Sequence, residues 1–196
     1  AKENKVEFLF EASVCGGTPV ISPLSKLIVS NKVNSIRAIL NGTCNYLLNM
    51  MYDKGLDYAE CLKECQDLGF AEQDPTDDVE GFDTMRKLRI LTTMTMGEIK
   101  EKDIALEGIS KINKEIINYT KENNKKIKFI ASSVLKDGKV TSIIEPVIID
   151  QDTRFASLSE ALNIVEASCD NVGQVSFIGP GAGKLPTGNA IVTDIL

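Results

Sequence analysis

The densest group of side chains that could do chemistry lies between positions 69 and 87. Six carboxylates fall within twelve residues there: Glu72, Asp74, Asp77, Asp78, Glu80 and Asp83. Such a cluster repels itself unless a positive group lies among its members, and Arg86 and Lys87 follow directly. Asp83 and Lys87 are four residues apart, which makes them neighbours on one face of a helix.

Three interpretations of this acidic segment are open. It could be the solvated start of a helix, because acids stabilise a helix N-terminus. It could instead be a pocket in which carboxylates bind an ammonium group and Lys87 stands beside a reacting oxygen. A calcium- or magnesium-binding protein is the third, although the acids do not follow the alternating spacing of an EF-hand loop.

A glycine-rich turn covers residues 179–184, Gly-Pro-Gly-Ala-Gly-Lys. It is not a P-loop, because Ile178 stands where the first glycine belongs and Leu185 follows the lysine. Nor is it the dinucleotide fingerprint, which opens a βαβ unit with a different glycine spacing. What remains is a turn whose bare backbone N–H groups could approach an anion, or a plain turn.

A second glycine turn lies near the start of the chain. Glu11 is followed within seven residues by Gly16, Gly17 and Thr18. A carboxylate and a run of turn carbonyls supply the oxygen ligands that hard cations prefer. The same pattern is also typical of a glycine turn without any ion.

Composition excludes several classes of function. The 196 residues include no histidine, which excludes Ser-His-Asp and Cys-His nucleophilic sites, His-ligated zinc and imidazole acid–base catalysis. The net charge of −6 argues against a nucleic-acid partner. No apolar run is long enough to span a membrane, and the N-terminus lacks the layout of a signal peptide.

The five cysteines indicate reduced thiols in a cytoplasmic protein, because their number is odd and no C-x-x-C spacing occurs. They are Cys15, Cys44, Cys61, Cys65 and Cys169. Cys61 and Cys65 lie four apart in a helical pattern, which predicts that they pack in the core.

Periodicity and turn residues predict alternating short strands and helices. The predicted strands cover residues 5–10, 33–40, 127–135, 140–149 and 174–178. The predicted helices cover about 19–30, 43–51, 57–68, 80–96, 110–123, 158–167 and 186–196. The middle strands form a hairpin through Asp137-Gly138, a strong turn signal. Together these elements predict an α+β fold, a mixed sheet with helices packed mainly on one face.

Several motifs resemble the catalytic domain of homoserine dehydrogenase. They are Phe-Glu-Ala-Ser-Val-x-Gly-Gly-x-Pro at 10–19, Ile-Leu-Asn-Gly-Thr-x-Asn-Tyr at 39–46, Gly-Phe-Ala-Glu-x-Asp-Pro-Thr-x-Asp-Val-x-Gly-x-Asp at 69–83, Arg-Lys-Leu at 86–88 and Gly-Pro-Gly-Ala-Gly-x-x-Pro-Thr at 179–187. The resemblance covers nearly the whole chain in the family's order, and the acidic segment is its most specific part.

The resemblance implies an enzyme that interconverts L-aspartate 4-semialdehyde and L-homoserine with NADP or NAD, on the route to threonine, methionine and isoleucine. It implies that Glu72 and Asp83 hold the amino-acid substrate and that Lys87 supplies a proton to the carbonyl oxygen. Gly42 and Thr43 match residues that line the substrate pocket. The turn Gly181, Ala182 and Gly183 would lie against the cofactor.

The resemblance also implies a sodium ion held by Glu11 and the backbone oxygens of Val14, Gly16 and Thr18. A homodimer is the expected assembly. Position 70 is Phe where many members have Tyr, which removes a hydroxyl from the substrate site.

Residues 1–196 are expected to be one substrate-binding, catalytic and dimerisation domain. The family's N-terminal nucleotide-binding (Rossmann) domain and its second active-site lysine are not in this sequence, so the chain is expected to be a fragment with almost no activity alone. The alternative from another class is a stand-alone amino-acid-binding or homodimerisation module without catalysis.

Overall fold

The computed structural model describes residues 3–69, 71–159 and 161–196, and it is built on one six-stranded sheet. The strands are β1 (Val33–Ile39), β2 (Ile104–Leu106), β3 (Lys125–Lys136), β4 (Lys139–Asp150), β5 (Leu162–Cys169) and β6 (Gln174–Pro180). Their order in the sheet is β2-β4-β3-β1-β5-β6. Short strand β2 runs parallel to β4, and the other pairs are antiparallel. The sheet is therefore mixed, as predicted.

The helices are α1 (Ile21–Leu27), α2 (Gly42–Lys54), α3 (Tyr58–Asp67), α4 (Thr76–Val79), α5 (Phe82–Thr95), α6 (Lys114–Glu122), α7 (Arg154–Ser157) and α8 (Lys184–Ile195). Helix α1 precedes β1, α8 follows β6, and the other helices lie in connections between strands. Helix α3 begins with a capping box, in which the Glu60 carboxylate accepts from the backbone N–H of Asp57 at 3.1 Å and the Asp57 side chain accepts from the backbone N–H of Glu60 in return. Among the described residues, no helix is both long and apolar enough to cross a membrane.

The main core lies on one face of the sheet. Helices α2, α5 and α6 pack on β3 there, over inward-facing strand residues that include Ile36, Ala38, Phe129, Ala131 and Val165. On the opposite face, only the short helix α7 contributes to a second, smaller cluster, with Phe155 packed near Ile39, Ile130 and Ile164. The prediction of helices mainly on one face is confirmed.

The β3–β4 hairpin is the element that the sequence predicted most accurately. Asp137 and Gly138 both have positive φ, at 51° and 75°, which a tight two-residue hairpin turn requires. The register pairs Lys136 with Lys139 and continues to Lys125 with Asp150. Both strands run longer than the predicted 127–135 and 140–149.

Two predicted elements are wrong. Residues 5–10 alternate Val6, Phe8 and Phe10, yet they form no strand, and Phe8 is 73 % exposed. Alternation stabilises a strand only where a neighbouring edge supplies ladder hydrogen bonds, and this segment pairs with no strand in the described part of the chain.

The predicted helix over 158–167 is instead the start of a strand, β5, which lies between β1 and β6. Asn163, Ile164 and Val165 are consecutive and all buried, because both faces of the sheet are covered at this point. A strand buried on both faces loses its alternating pattern and cannot be told from a buried helix by periodicity.

The other boundaries shift by a few residues. The helix predicted over 80–96 begins at Phe82 because Gly81, in a left-handed conformation at φ 87°, separates it from α4. The helix predicted over 110–123 begins at Lys114, where Asn113 is the cap. Because Gly81 sets where α5 begins, it also sets where Asp83 and Lys87 project.

Candidate functional site

One open cavity of about 410 Å³ collects most of the residues singled out from the sequence. It lies where the first turns of α2 and α5 meet the segments before and after the β5–β6 pair. Its lining residues are Asn41, Gly42, Thr43, Gly69, Asp78, Asp83, Lys87, Ala161, Gly181, Ala182 and Gly183. The cavity therefore brings the acid–lysine pair and the late glycine turn together.

Asp83 and Lys87 form an ion pair on the first turns of α5. Lys87 Nζ lies 2.6 Å from Asp83 Oδ2 and donates a second hydrogen bond, of 3.2 Å, to the backbone oxygen of Leu40 at the end of β1. The Lys87 side chain is 21 % exposed and the Asp83 side chain is 30 % exposed. A lysine held this way keeps its ammonium directed at the cavity and within reach of a bound molecule.

Asn41 organises the carboxylates around this pair. Its side-chain oxygen caps α2 by accepting from the backbone N–H of Cys44 at 2.8 Å. Its amide nitrogen donates to Asp78 Oδ1 at 2.6 Å and to Asp83 Oδ2 at 3.0 Å. One buried amide thus fixes the start of α2 and two acids of the cavity.

Two other carboxylates of the acidic segment, Asp77 and Asp74, have local partners that stabilise their negative charge. Arg86 forms an exposed ion pair of 2.7 Å with Asp77. Hydrogen bonds from the Thr76 side chain and backbone lower the pKa of Asp74. Within the three described stretches of chain, no group of three acidic or cysteine side chains is arranged to hold a metal ion.

Glu72 lies apart from this arrangement. It is exposed, does not line the cavity, and its backbone oxygen accepts from the Gln66 side chain at 3.0 Å. Phe70, the other predicted substrate-binding residue of this segment, lies outside the described residues. The substrate role of both stays a prediction.

The late glycine turn rests on Asn163 of β5. A Cβ atom at Gly181 would lie 2.4 Å from Asn163 Oδ1, a distance that no side chain tolerates. Asn163 Nδ2 donates at 3.0 Å to the same Leu40 oxygen that Lys87 uses. Its Oδ1 is buried and lacks a hydrogen-bond partner among the described residues. Asn163 therefore connects the glycine turn to the lysine.

The early glycine turn packs directly against the late one. A Cβ at Gly16 would lie 2.5 Å from the Gly181 oxygen, and Thr18 Oγ1 donates to the Pro180 oxygen at 3.1 Å. The Glu11 carboxylate caps α1: Oε1 accepts from Val20 and Ile21, and Oε2 from Ser22, at 2.6–2.8 Å. Oε1 is saturated by these bonds, while Oε2 accepts only one of them.

The five thiols are free and buried, as predicted for reduced, packed cysteines. Burial raises the pKa of Cys15, Cys61 and Cys65 to about 11, and it raises the pKa of Cys44 well above that of a free thiol. A thiol that stays protonated is a poor nucleophile. The acid–base chemistry of the cavity therefore falls to Lys87 and the carboxylates.

Sequence reasoning missed Asn41 and Asn163 as site residues. Asn41 carried one usable signal, since an asparagine three residues before Cys44 on a helical pattern is a typical N-cap. Asn163 carried none, because it fell in a segment predicted as a helix.

The fold and cavity define an α+β domain that presents a carboxylate–lysine pair beside a glycine-rich turn. The family model described as homoserine dehydrogenase matches residues 19–196. The chain belongs to the homoserine dehydrogenase family.

Individual relatives agree with this assignment. A homoserine dehydrogenase from Methanocaldococcus jannaschii is 39 % identical over the whole chain, which covers 57 % of that protein. An NAD(+)-dependent homoserine dehydrogenase from Pseudomonas canavaninivorans is 35 % identical, again over the whole chain and 56 % of its own length. The chain spans about half the length of the curated relatives it matches.

Solved structures share the fold. A putative homoserine dehydrogenase from Archaeoglobus fulgidus superposes with a TM-score of 0.92 at 32 % identity, over 100 % of this chain and 59 % of its own. A hyperthermophilic archaeal homoserine dehydrogenase in complex with NADPH gives 0.85 at 26 % identity, over 100 % and 56 %.

Proposed function

We propose that this chain is the substrate-binding and catalytic domain of a homoserine dehydrogenase, acting with a nucleotide-binding domain to interconvert L-homoserine and L-aspartate 4-semialdehyde. The single observation that carries the proposal is the Lys87–Asp83 pair at 2.6 Å in a cavity shared with the glycine turn 181–183. The two similar dehydrogenases named for NAD(+) and NADPH support a nicotinamide cofactor, either NAD or NADP.

In the reducing direction, a nicotinamide held beside the turn 181–183 would supply the hydride that the carbonyl carbon of the semialdehyde receives. Lys87 Nζ gives its proton to the carbonyl oxygen, so the carbonyl becomes the alcohol of homoserine. Asp83 Oδ2 and the Leu40 oxygen hold the ammonium in place until that transfer. Preorganised donors aimed at an oxygen that gains negative charge lower the barrier without reorganisation.

Asp83 also has an oxygen to offer the substrate. Both of its bonds to Asn41 and Lys87 are made by Oδ2, so we assign Oδ1 to the substrate's ammonium group. Gly42 and Thr43 form the wall beside it. Glu72 is proposed as a second carboxylate on the resemblance alone, because its exposed side chain does not line the cavity.

The turn Gly181–Ala182–Gly183 is assigned to the cofactor side of the cavity. At Gly181 the space that a side chain would need is already filled by Asn163, so only bare backbone faces the cavity there. A bare backbone lets a flat ring approach closely.

Replacing Asp83 by asparagine is expected to raise KM for homoserine about tenfold, because a charged hydrogen bond to the ammonium is replaced by a neutral one. The measurement is steady-state kinetics on the full-length protein that carries this chain. Asp77→Asn, which alters an exposed acid of the same segment, is the matched control and should change KM less than twofold. Equal KM values for wild type and Asp83→Asn would contradict the substrate role.

A sodium ion is proposed at the early glycine turn, held by Glu11 Oε2 and the backbone oxygens of Val14, Gly16 and Thr18. The donors fit a hard monovalent cation because all are oxygens, and Oε2 retains acceptor capacity. Because an ion that binds only the folded state stabilises it, the midpoint of thermal unfolding should rise with sodium. N-methyl-D-glucamine at equal ionic strength is the control; identical midpoints in both salts would exclude the site.

A homodimer is proposed through the sheet face opposite the main core. Strand register places Val134, Ile143 and Ile178 on that face, beyond α7, and they are 47 %, 36 % and 48 % exposed. Val134 and Ile143 lie on the adjacent strands β3 and β4, and Ile178 lies on the edge strand β6. Apolar side chains exposed on one face of a sheet are typical of an interface.

Ile143→Asp is therefore expected to halve the mass found by sedimentation equilibrium, because a charge would be buried without a partner. Val29→Asp is the matched control, since Val29 is equally apolar, is 84 % exposed and lies after α1. A dimer that survives Ile143→Asp would argue against this face.

A cytoplasmic location is proposed from the five reduced thiols.

A further inference from the structure

Lys128 of β3 is a fully buried lysine that the proposed reaction does not use. Its ammonium donates to Asn45 Oδ1 at 2.8 Å, Asn49 Oδ1 at 2.7 Å and the backbone oxygen of Leu158 at 2.7 Å. All three donors of the ammonium are satisfied, and all three acceptors are neutral. Burying a cation without a carboxylate partner is costly.

The surroundings of Lys128 disfavour its charged form. Burial, together with the smaller effect of the positive charge of Lys126, lowers the pKa of Lys128 to about 7, although Asp53 offsets part of this shift. Loss of any one acceptor would leave a buried N–H unpaired, which costs more than an ordinary hydrogen bond gains. This cost keeps all three hydrogen bonds of the Lys128 ammonium in place.

The network joins two pieces of backbone that meet again at the substrate cavity. The Leu158 oxygen also accepts from Asn45 Nδ2 at 3.4 Å and Asn49 Nδ2 at 3.2 Å, which ties the segment after α7 to α2. Three residues beyond Leu158 is Ala161, and three before Asn45 is Gly42.

Gly42 and Ala161 line the cavity side by side. A Cβ atom at Gly42 would lie 3.0 Å from the Ala161 oxygen, so these two backbones are in direct contact. Helix α2 and the segment after α7 are therefore linked twice, by the Lys128 network and by the contact between Gly42 and Ala161.

We propose that Lys128 is a positioning residue that sets the Gly42–Ala161 wall of the substrate cavity by clamping α2 to the segment after α7. The inference rests on the proposed function, because it assigns this wall to substrate binding. A wall residue contributes equally to ground state and transition state, so its displacement should appear in KM rather than in kcat.

The test is Lys128→Met in the full-length protein, which keeps the length of the side chain and removes its three donors. We expect KM for homoserine to rise at least tenfold while kcat changes less than threefold. Lys126→Met is the matched control, because it removes a lysine from the same strand two residues away without removing any hydrogen bond of the network, and its KM should stay within twofold of wild type.

A KM within twofold of wild type for Lys128→Met, or a fall in kcat alone, would overturn the proposal, because a purely structural lysine would lower the active fraction without moving KM. If Lys128→Met does not fold, Asn49→Ala replaces it: this removes one acceptor, and an approximately threefold rise in KM is expected, while an unchanged KM overturns the inference. Wild-type turnover in the same assay separates this from failure of the proposed function, which would leave the wild type itself inactive.

Discussion

Replacing Lys87 by alanine is expected to lower kcat about 10³-fold in the full-length protein, with KM for homoserine changed less than threefold. A positioned general acid contributes roughly 10²–10⁴-fold, and Lys87 is the one cation that lines the described cavity. Hydrogen bonds to Asp83 and to the Leu40 oxygen hold its ammonium group in place. Because the proton is transferred only in the chemical step, the loss belongs to kcat. Steady-state kinetics in both directions measures it.

Arg86→Ala is the matched control for this variant. Arg86 precedes Lys87 on α5, carries the same charge and makes an ion pair with Asp77, but that pair is exposed and Arg86 does not line the cavity. Exposed ion pairs are worth little, so kcat should stay within twofold of wild type. A Lys87→Ala enzyme with unchanged kcat would remove Lys87 from the chemistry and leave the cavity as a binding site only.

Lys87 and Asp83 were predictable from sequence because their relation is local. Four residues on a helix are one turn, and that spacing alone makes the two side chains neighbours. The Asp-Gly hairpin was predictable for the same reason, since its turn requires positive φ at two adjacent positions. Both features depend only on residues that are close together in the sequence, so no tertiary contact is needed to predict them.

The remaining parts of the site depend on contacts between distant residues. Asn41 reaches Asp83 across 42 positions, and Asn163 reaches Leu40 across 123. No spacing rule connects such pairs, and β5 had lost its alternating pattern because it is buried on both faces. The sequence could therefore predict that Asp83 and Lys87 are neighbours, but only the structure shows which amides hold them.

Gly181→Ala is expected to lower kcat/KM about 10²-fold. The added Cβ would lie 2.4 Å from Asn163 Oδ1, so either the glycine turn or Asn163 must move by more than half an ångström, and a misplacement of about 1 Å near the reacting groups can cost that much. Gly188→Ala is the control, because that glycine of α8 has no neighbour within 4 Å of its added Cβ. Its kcat/KM should remain within twofold of wild type.

The clash predicts a compensating change. Asn163→Ala alone removes one of two donors to the Leu40 oxygen. It should lower kcat/KM only about threefold, because Lys87 still donates to that oxygen. In the double variant Gly181→Ala/Asn163→Ala the new methyl group occupies the space that the amide has left, so kcat/KM should recover at least tenfold relative to Gly181→Ala. Contacting residues are non-additive in this way, whereas independent ones are additive. A double variant whose loss equals the product of the two single losses would show that Asn163 is not what requires glycine at position 181.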